Sequence, residues 1–115
     1  MTDCIFCRIA AGEIPATLVA QSEHAVAFRD LNPQAPTHAL VIPREHIASA
    51  TETDSDAGEL ALARTMRLAV QVAKQLGLVE GGYRLVCNSG PNAGQSVFHL
   101  HVHVLGGRKM SWPPG

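Results

Sequence analysis

Aromatic side chains are scarce in this chain. Three Phe, one Tyr and one Trp make up 4% of 115 residues, which argues against a stacking surface for single-stranded nucleic acid. An excess of one charge is also missing. Nine Lys and Arg stand against ten Asp and Glu, for a formal net charge of −1, so bulk electrostatics favour neither nucleic acid nor a membrane surface. No apolar run approaches the ~20 residues of a transmembrane helix. The N-terminus lacks the basic-then-apolar layout of a secretory signal. Cysteine is limited to three, an odd number that fits poorly with a secreted disulfide framework. These absences lead us to expect a cytoplasmic protein with no nucleic-acid or membrane partner. At 46% hydrophobic residues, one domain over residues 1–115 is long enough to bury a core unaided.

What is present in abundance is histidine, and half of it lies in one stretch. In Gln95-Ser96-Val97-Phe98-His99-Leu100-His101-Val102-His103-Val104-Leu105, imidazoles alternate with aliphatic residues. Read as a strand, this puts His99, His101 and His103 on one face and Leu100, Val102 and Val104 on the other. Successive imidazoles would then stand roughly 7 Å apart, and the outer pair about 14 Å apart. Aliphatic residues behind them imply a core that holds the rings on a rigid support.

The rest of the chain supplies scaffold and further candidates. Cys4-Ile5-Phe6-Cys7 opens a short helical turn closed by Gly12. The pair is redox-active, metal-binding or simply buried, and there is no room before it for the strand a thioredoxin-type site requires. Thr17–Ala20 and Ala25–Phe28 read as strands joined through Ser22-Glu23-His24, with His24 exposed. Asp30-Leu31-Asn32-Pro33-Gln34-Ala35-Pro36 is a loop. Asp30 there is either a local turn acceptor or a carboxylate for paired ribose hydroxyls. Thr37–Pro43 reads as a central strand carrying His38, followed by His46, which by itself is a surface residue. Spacings of three and four over Leu62, Met66, Ala69, Ala73 and Leu76 predict one long helix from Thr53 or Ser55 to about Leu76. Tyr83–Asn88 is a further strand with Cys87 buried in it. The glycine-containing loop 89–94 makes a tight hairpin into the histidine strand. Residues 105–115 form a proline-stiffened tail whose Trp112 is expected to pack on something, a second subunit included.

Three imidazoles on one face suit two chemistries. They can bind a catalytic metal that activates water, or one neutral imidazole can act as a nucleophile on phosphorus while its neighbours set tautomer and charge. The spacing along a strand weighs against one ion using all three. It leaves room for one of them to join Cys4, Cys7 and His46 in a closed, structural four-ligand zinc site.

His99-Leu100-His101-Val102-His103-Val104-Leu105, with Gly94-Gln95-Ser96-Val97 before it and Trp112-Pro113-Pro114-Gly115 after it, resembles the histidine triad family. The match is to its nucleotide-binding (Hint) branch. Ile14-Pro15, Phe28-Arg29-Asp30, Pro36-Thr37-His38 and Val41-Ile42-Pro43 extend the resemblance over nearly the whole chain. It implies an α+β fold, a five-stranded antiparallel sheet with one long and one short helix. It also implies a homodimer whose two sheets join into ten strands, with the tail at the interface. The activity implied is hydrolysis of purine nucleoside phosphoramidates and of acyl- or aminoacyl-adenylates to release AMP.

Carried over residue by residue, the resemblance makes His101 the nucleophile of a covalent nucleotidyl-histidine. His103 then contacts the α-phosphate, His38 and His99 support the nucleophile, and Ser96 lies near the phosphate and leaving group. Asp30 holds the ribose hydroxyls, with Leu31 and apolar neighbours on the base. Asn88, Gly94 and Gln95 line the phosphate side, and Trp112 reaches toward the partner's site. The bound ligand is a purine nucleotide such as AMP, GMP or a phosphoramidate analogue, and no catalytic cofactor is expected. Members that carry the Cys4/Cys7 pair bind zinc with two further histidines, which match His46 and His99. The family's nucleotidyltransferases have glutamine where His103 stands, so water is the favoured acceptor over a phosphate. A nucleotide-binding scaffold with incidental catalysis is the alternative class, and a metal-dependent hydrolase a third.

Overall fold

The computed structural model describes residues 3–115. A short helix, α1 (Ile5–Ala10), precedes three strands, β1 (Leu18–Gln21), β2 (Ala25–Arg29) and β3 (Thr37–Pro43). A 3₁₀ turn at Ala50–Thr53 leads into the long helix α2 (Asp56–Gln75), which is followed by β4 (Tyr83–Val86), a second 3₁₀ turn at Pro91–Ala93 and β5 (Val102–Gly106). The five strands form one sheet in the order β1-β2-β3-β5-β4, every pairing antiparallel. This is the expected α+β architecture. Among the described residues no helix is long and apolar enough to cross a membrane.

The sheet is covered on both faces, and strand alternation sorts the residues. Ala25, Ala27, Ala39, Val41, Val102 and Val104 face α2, where Leu68, Ala69, Val72 and Ala73 complete the larger core. The alanines let the helix approach the sheet closely. Val26, Phe28, Leu40 and Ile42 face the other way and pack with Phe6 of α1. Because both faces are buried, β3 is apolar from Ala39 to Pro43, and His38 is its one buried polar residue.

Helix α2 begins where its capping chemistry directs. The Ser55 Oγ accepts the Gly58 N–H at 3.0 Å, and Thr53 belongs to the preceding 3₁₀ turn. The expected stripe is rotated in the structure. Thr65, Leu68, Ala69, Val72 and Ala73 are its buried centre, while Met66 and Leu76 pack at the margin. Thr65 is admitted to the core because its hydroxyl donates to the Ala61 carbonyl at 2.8 Å.

Gly58 is the tightest point of this helix. A Cβ there would lie 2.6 Å from the Thr53 Cα and 2.8 Å from the Thr53 carbonyl carbon, both backbone atoms. An alanine in a helix ordinarily gains about 1 kcal/mol over glycine. Here overpacking against backbone reverses the sign, and Gly58→Ala is expected to cost about 1–3 kcal/mol. Urea denaturation of the two proteins measures this, and an alanine variant as stable as wild type would refute it.

Three sequence expectations are corrected by the fold. The ladder of β5 begins only at Val102, so His99 and His101 are not strand residues. The segment before β5 is instead held across to the chain after β3, with the Leu100 N–H on the Ile47 carbonyl at 2.6 Å. Secondly, β4 stops at Val86, and its connection to β5 is a long arch from Cys87 to His101, not a tight turn. Thirdly, Cys87 falls beyond the strand end and is exposed.

Candidate active site and metal cluster

Strand pairing brings the first two functional side chains together. His38 pairs with Leu105 and Leu40 with His103, so His38 and His103 are diagonal neighbours on the face away from α2. Their rings meet with His38 Nε2 and His103 Nδ1 2.9 Å apart. His101 follows the arch just before β5, its ring centroid 5.1 Å from that of His103. Phe6 of α1 stands edge-on to it at 5.2 Å. All three imidazoles sit on packed supports, and His38 and His101 are only 4% and 5% exposed.

The hydrogen-bond partners determine where the ring protons lie. A carbonyl oxygen only accepts, so the 2.7 Å contact between His101 Nδ1 and the His99 carbonyl places a proton on Nδ1. In the neutral ring, Nε2 then keeps its lone pair. His99 Nε2 lies 2.8 Å from the Pro43 carbonyl, which puts its proton on Nε2 and leaves Nδ1 bare. His38 Nδ1 accepts the Gln34 backbone N–H at 3.0 Å, so its proton is on Nε2. Three neighbours thus prescribe three tautomers.

His99 departs furthest from the expected arrangement. Its ring is fully buried and turned away from His101 toward the N-terminal cysteines. His99 Nδ1 lies 3.3 Å from the Cys4 Sγ and 3.5 Å from the Cys7 Sγ, and the Cys7 Sγ is 3.2 Å from His46 Nδ1. The four ligand atoms all lie within 4.8 Å of one another. A tetrahedral zinc with ordinary Zn–S and Zn–N distances would separate sulfur from nitrogen by ~3.5 Å, so the donor set fits that ion. The Pro43 carbonyl on His99 Nε2 is the outer partner that orients a ligating imidazole. His46 is exposed, as its position after the strand suggests, yet it completes the cluster. The two roles expected of His99 are divided between its atoms: the ring joins the cysteines, and the main-chain carbonyl orients His101.

A cavity of about 300 Å³ opens beside His101 and His103. Its polar groups include Thr17, Asp30 and Ser96, and its apolar wall includes Phe6, Ile9, Phe28 and Leu40. Phe6, Ile9 and Thr17 went unnoticed as cavity residues in the sequence, because packing decides which side chains of α1 and of the chain before β1 face the cavity. Leu31 lies at the rim. Asp30 serves its turn as expected, accepting the Asn32 N–H at 2.8 Å on Oδ1, while Oδ2 lies 3.4 Å from His38 Nε2.

Other candidates lie outside this cavity. Asn88 and Gly94 do not line it. The Gln95 side chain is buried and committed to backbone: its amide donates to the Ala48 and Val97 carbonyls at 2.8 and 3.1 Å, and its oxygen accepts the Gly90 N–H at 3.0 Å. It pins the arch that carries Ser96. Trp112 is 81% exposed and does not touch the cavity of its own chain.

Burial dominates the titration of His38 and His103. Desolvation lowers His38, opposed by the charge of Asp30. Desolvation, then His101 and His38, hold His103 down to about 4, again against Asp30. The unfolded chain therefore binds protons near pH 6.5 that the folded His103 refuses until about 4, so stability falls as pH drops through that window. We expect the urea midpoint to decline from pH 7 to pH 5, and less steeply in His103→Gln. Equal slopes in the two proteins would show that His103 is not a source of the dependence.

A family model described as the HIT domain matches residues 11–110. A Zea mays protein named 14 kDa zinc-binding protein is 50% identical over 113 residues, covering 96% of this chain and 87% of that relative. An Arabidopsis thaliana protein named Adenylylsulfatase HINT1 is 45% identical over 113 residues, covering 96% of this chain and 76% of its own length. The crystal structure of a HIT family hydrolase from Legionella pneumophila Philadelphia 1 superposes with a TM-score of 0.92 at 52% identity, over 98% of this chain and 100% of that one.

Proposed function

Because the chain belongs to the HIT domain family, in its histidine triad nucleotide-binding (Hint) branch, we propose that it is a hydrolase of purine nucleoside 5′-phosphoramidates and related adenylates that releases the nucleoside monophosphate. The observation that carries this reading is the tautomer of His101. Its Nδ1–H is held by the His99 carbonyl at 2.7 Å, and its ring lines the cavity with a lone pair left on Nε2.

In the first step Nε2 bonds to the α-phosphorus, the P–N bond breaks, and the amine departs after taking a proton. In the second, water bonds to phosphorus, the Nε2–P bond breaks, and the water's proton leaves through the site. His103 contacts the phosphoryl oxygens and Ser96 the phosphate and leaving group. Asp30 receives the ribose hydroxyls, and the apolar wall with Leu31 takes the purine. Asn88, Gly94 and Gln95 act on the phosphate side through the loop they build. The similarity to a relative named as an adenylylsulfatase supports the adenylate class without restricting the leaving group to an amine.

Cys4, Cys7, His46 and His99 would hold a structural Zn²⁺, in keeping with the name of the maize relative. Bound there, zinc supplies a cross-link between α1, the chain after β3 and the arch. The free thiols suit the reducing cytoplasm. The open edge of β4 and the exposed Trp112 suit a homodimer in which the tail reaches the partner's cavity.

The test is intact-mass analysis after rapid mixing with adenosine 5′-phosphoramidate, alongside an assay of AMP release. A transient adduct of one AMP that decays as AMP appears is the expected result. AMP binding with no release and no adduct would favour the scaffold reading.

A further inference from the structure

Asp30, His38 and His103 form a second cluster with metal-ligand spacing, and the proton positions decide what it does. The Gln34 N–H points at His38 Nδ1, so a neutral His38 keeps its proton on Nε2, where a metal would have to bind. The trio is therefore one hydrogen bond, between His38 and His103, with the Asp30 carboxylate beside it. The His38 Nε2 that carries this proton lies 2.9 Å from His103 Nδ1 and 3.4 Å from the Asp30 Oδ2. His103 Nδ1 accepts that N–H, which leaves His103 with its own proton on Nε2, the donor it can offer to a phosphoryl oxygen.

We propose that Asp30 has a second task beyond gripping ribose: through His38 it sets the hydrogen-bond state of His103, so occupancy of the nucleotide's vicinal diol is felt at the phosphate. The inference rests on the nucleotide reading above. When ribose hydroxyls donate to the Asp30 carboxylate, the pull of its charge on the His38 N–H weakens. That N–H is then held by the bond with His103 alone, and His103 is committed as an Nε2–H donor. A substrate without the diol leaves that N–H under the full pull of the carboxylate and the donor less well defined. Asp30 acts on His103 as a positioning residue; only its contact with ribose is direct.

The groups around His103 allow this. His101 faces it from the end of the arch, His38 from β3 and Asp30 from the β2–β3 loop, while α1 contributes the apolar Phe6 against His101. Arg29 is a further charged residue on the same cavity. Asp30 is the carboxylate among them, and its charge acts on both His38 and His103.

The test is long-range ¹H–¹⁵N NMR of the histidine rings at pH 7 in the zinc-loaded protein, free and saturated with AMP or 2′,3′-dideoxy-AMP. The free protein should show Nε2–H tautomers at both His38 and His103. AMP should move the His103 Nδ1 signal further than the dideoxy nucleotide does, and that difference should vanish in Asp30→Asn. In turnover, Asp30→Asn should lower kcat by about tenfold as well as raise KM, less than the ~10²–10⁴-fold carried by a group that itself transfers the proton. An Nδ1–H tautomer at either ring overturns the hydrogen bond. A diol-dependent difference that survives Asp30→Asn, or a variant changed in KM alone, reduces Asp30 to a grip. If neither nucleotide binds, the nucleotide reading fails and the coupling with it, while the tautomers of the free protein still report separately on the hydrogen bond between His38 and His103.

Discussion

His101→Ala is expected to release AMP from adenosine 5′-phosphoramidate at least about 10⁴-fold more slowly than wild type, in line with losses on deleting a member of a nucleophilic constellation. No nucleotide adduct should form. The reason is geometric. No other imidazole at the cavity has a lone pair left for phosphorus, since His103 Nδ1 and His38 Nδ1 are both occupied as acceptors. The His99 ring faces the cysteines. The substitution removes a ring that packs edge-on against Phe6, so some stability will be lost with it. Added imidazole provides the control. Occupying the vacated space, it should restore part of the turnover in the variant and none in wild type. A variant that turns over at the wild-type rate would place the nucleophile elsewhere.

Loss of the metal cluster should be felt as loss of structure. Cys7→Ser and His46→Ala each remove a ligand from the link that this cluster makes among α1, the chain after β3 and the arch. Structural zinc typically contributes far more than a single contact, ~10–16 kcal/mol of apparent binding free energy in small domains. We expect both variants to lose bound zinc, read by elemental analysis, and their thermal midpoint to fall by about 10–20 °C, allowing for partial retention of the fold. Removing zinc from wild type with a chelator should lower the midpoint equally. Residual turnover at temperatures where the stripped protein is still folded would separate this from metal-dependent hydrolysis. Unchanged stability with and without chelator would show that the four side chains hold no structural ion.

The two effects meet at His99. Its ring anchors the cluster while its carbonyl holds the His101 proton. Damage to the cluster therefore loosens the residue that prescribes the nucleophile's tautomer. Turnover in the cysteine variants should fall further than their folded fraction does, because a correct tautomer requires a fixed carbonyl.

Much of this was legible in the residues. The apolar-polar periods marked the strands and α2 because burial on a face repeats with the geometry of the element. The histidine motif and the cysteine pair announced their chemistry by type and spacing. Legibility stopped where contacts are long-range. Alternation through His99-Leu100-His101 looks like a strand, yet Leu100 bonds to Ile47 and His99 to Pro43, partners about fifty positions away that no local period encodes. Cys87 looked like core because it ends an apolar run, and it is exposed because the ladder stops one residue earlier.

By itself, then, the sequence determined the kinds of chemical group available, the elements that carry them and the family to which the chain is similar. Only the tertiary structure decided which proton sits on which imidazole, that His99 belongs by its ring to the cysteines and by its carbonyl to His101, and that Phe6, Ile9 and Thr17 wall the cavity. Residue type sets what an imidazole can do. The partner it meets in space, here a carbonyl, an N–H or a thiol from a distant part of the chain, determines which of those things it does.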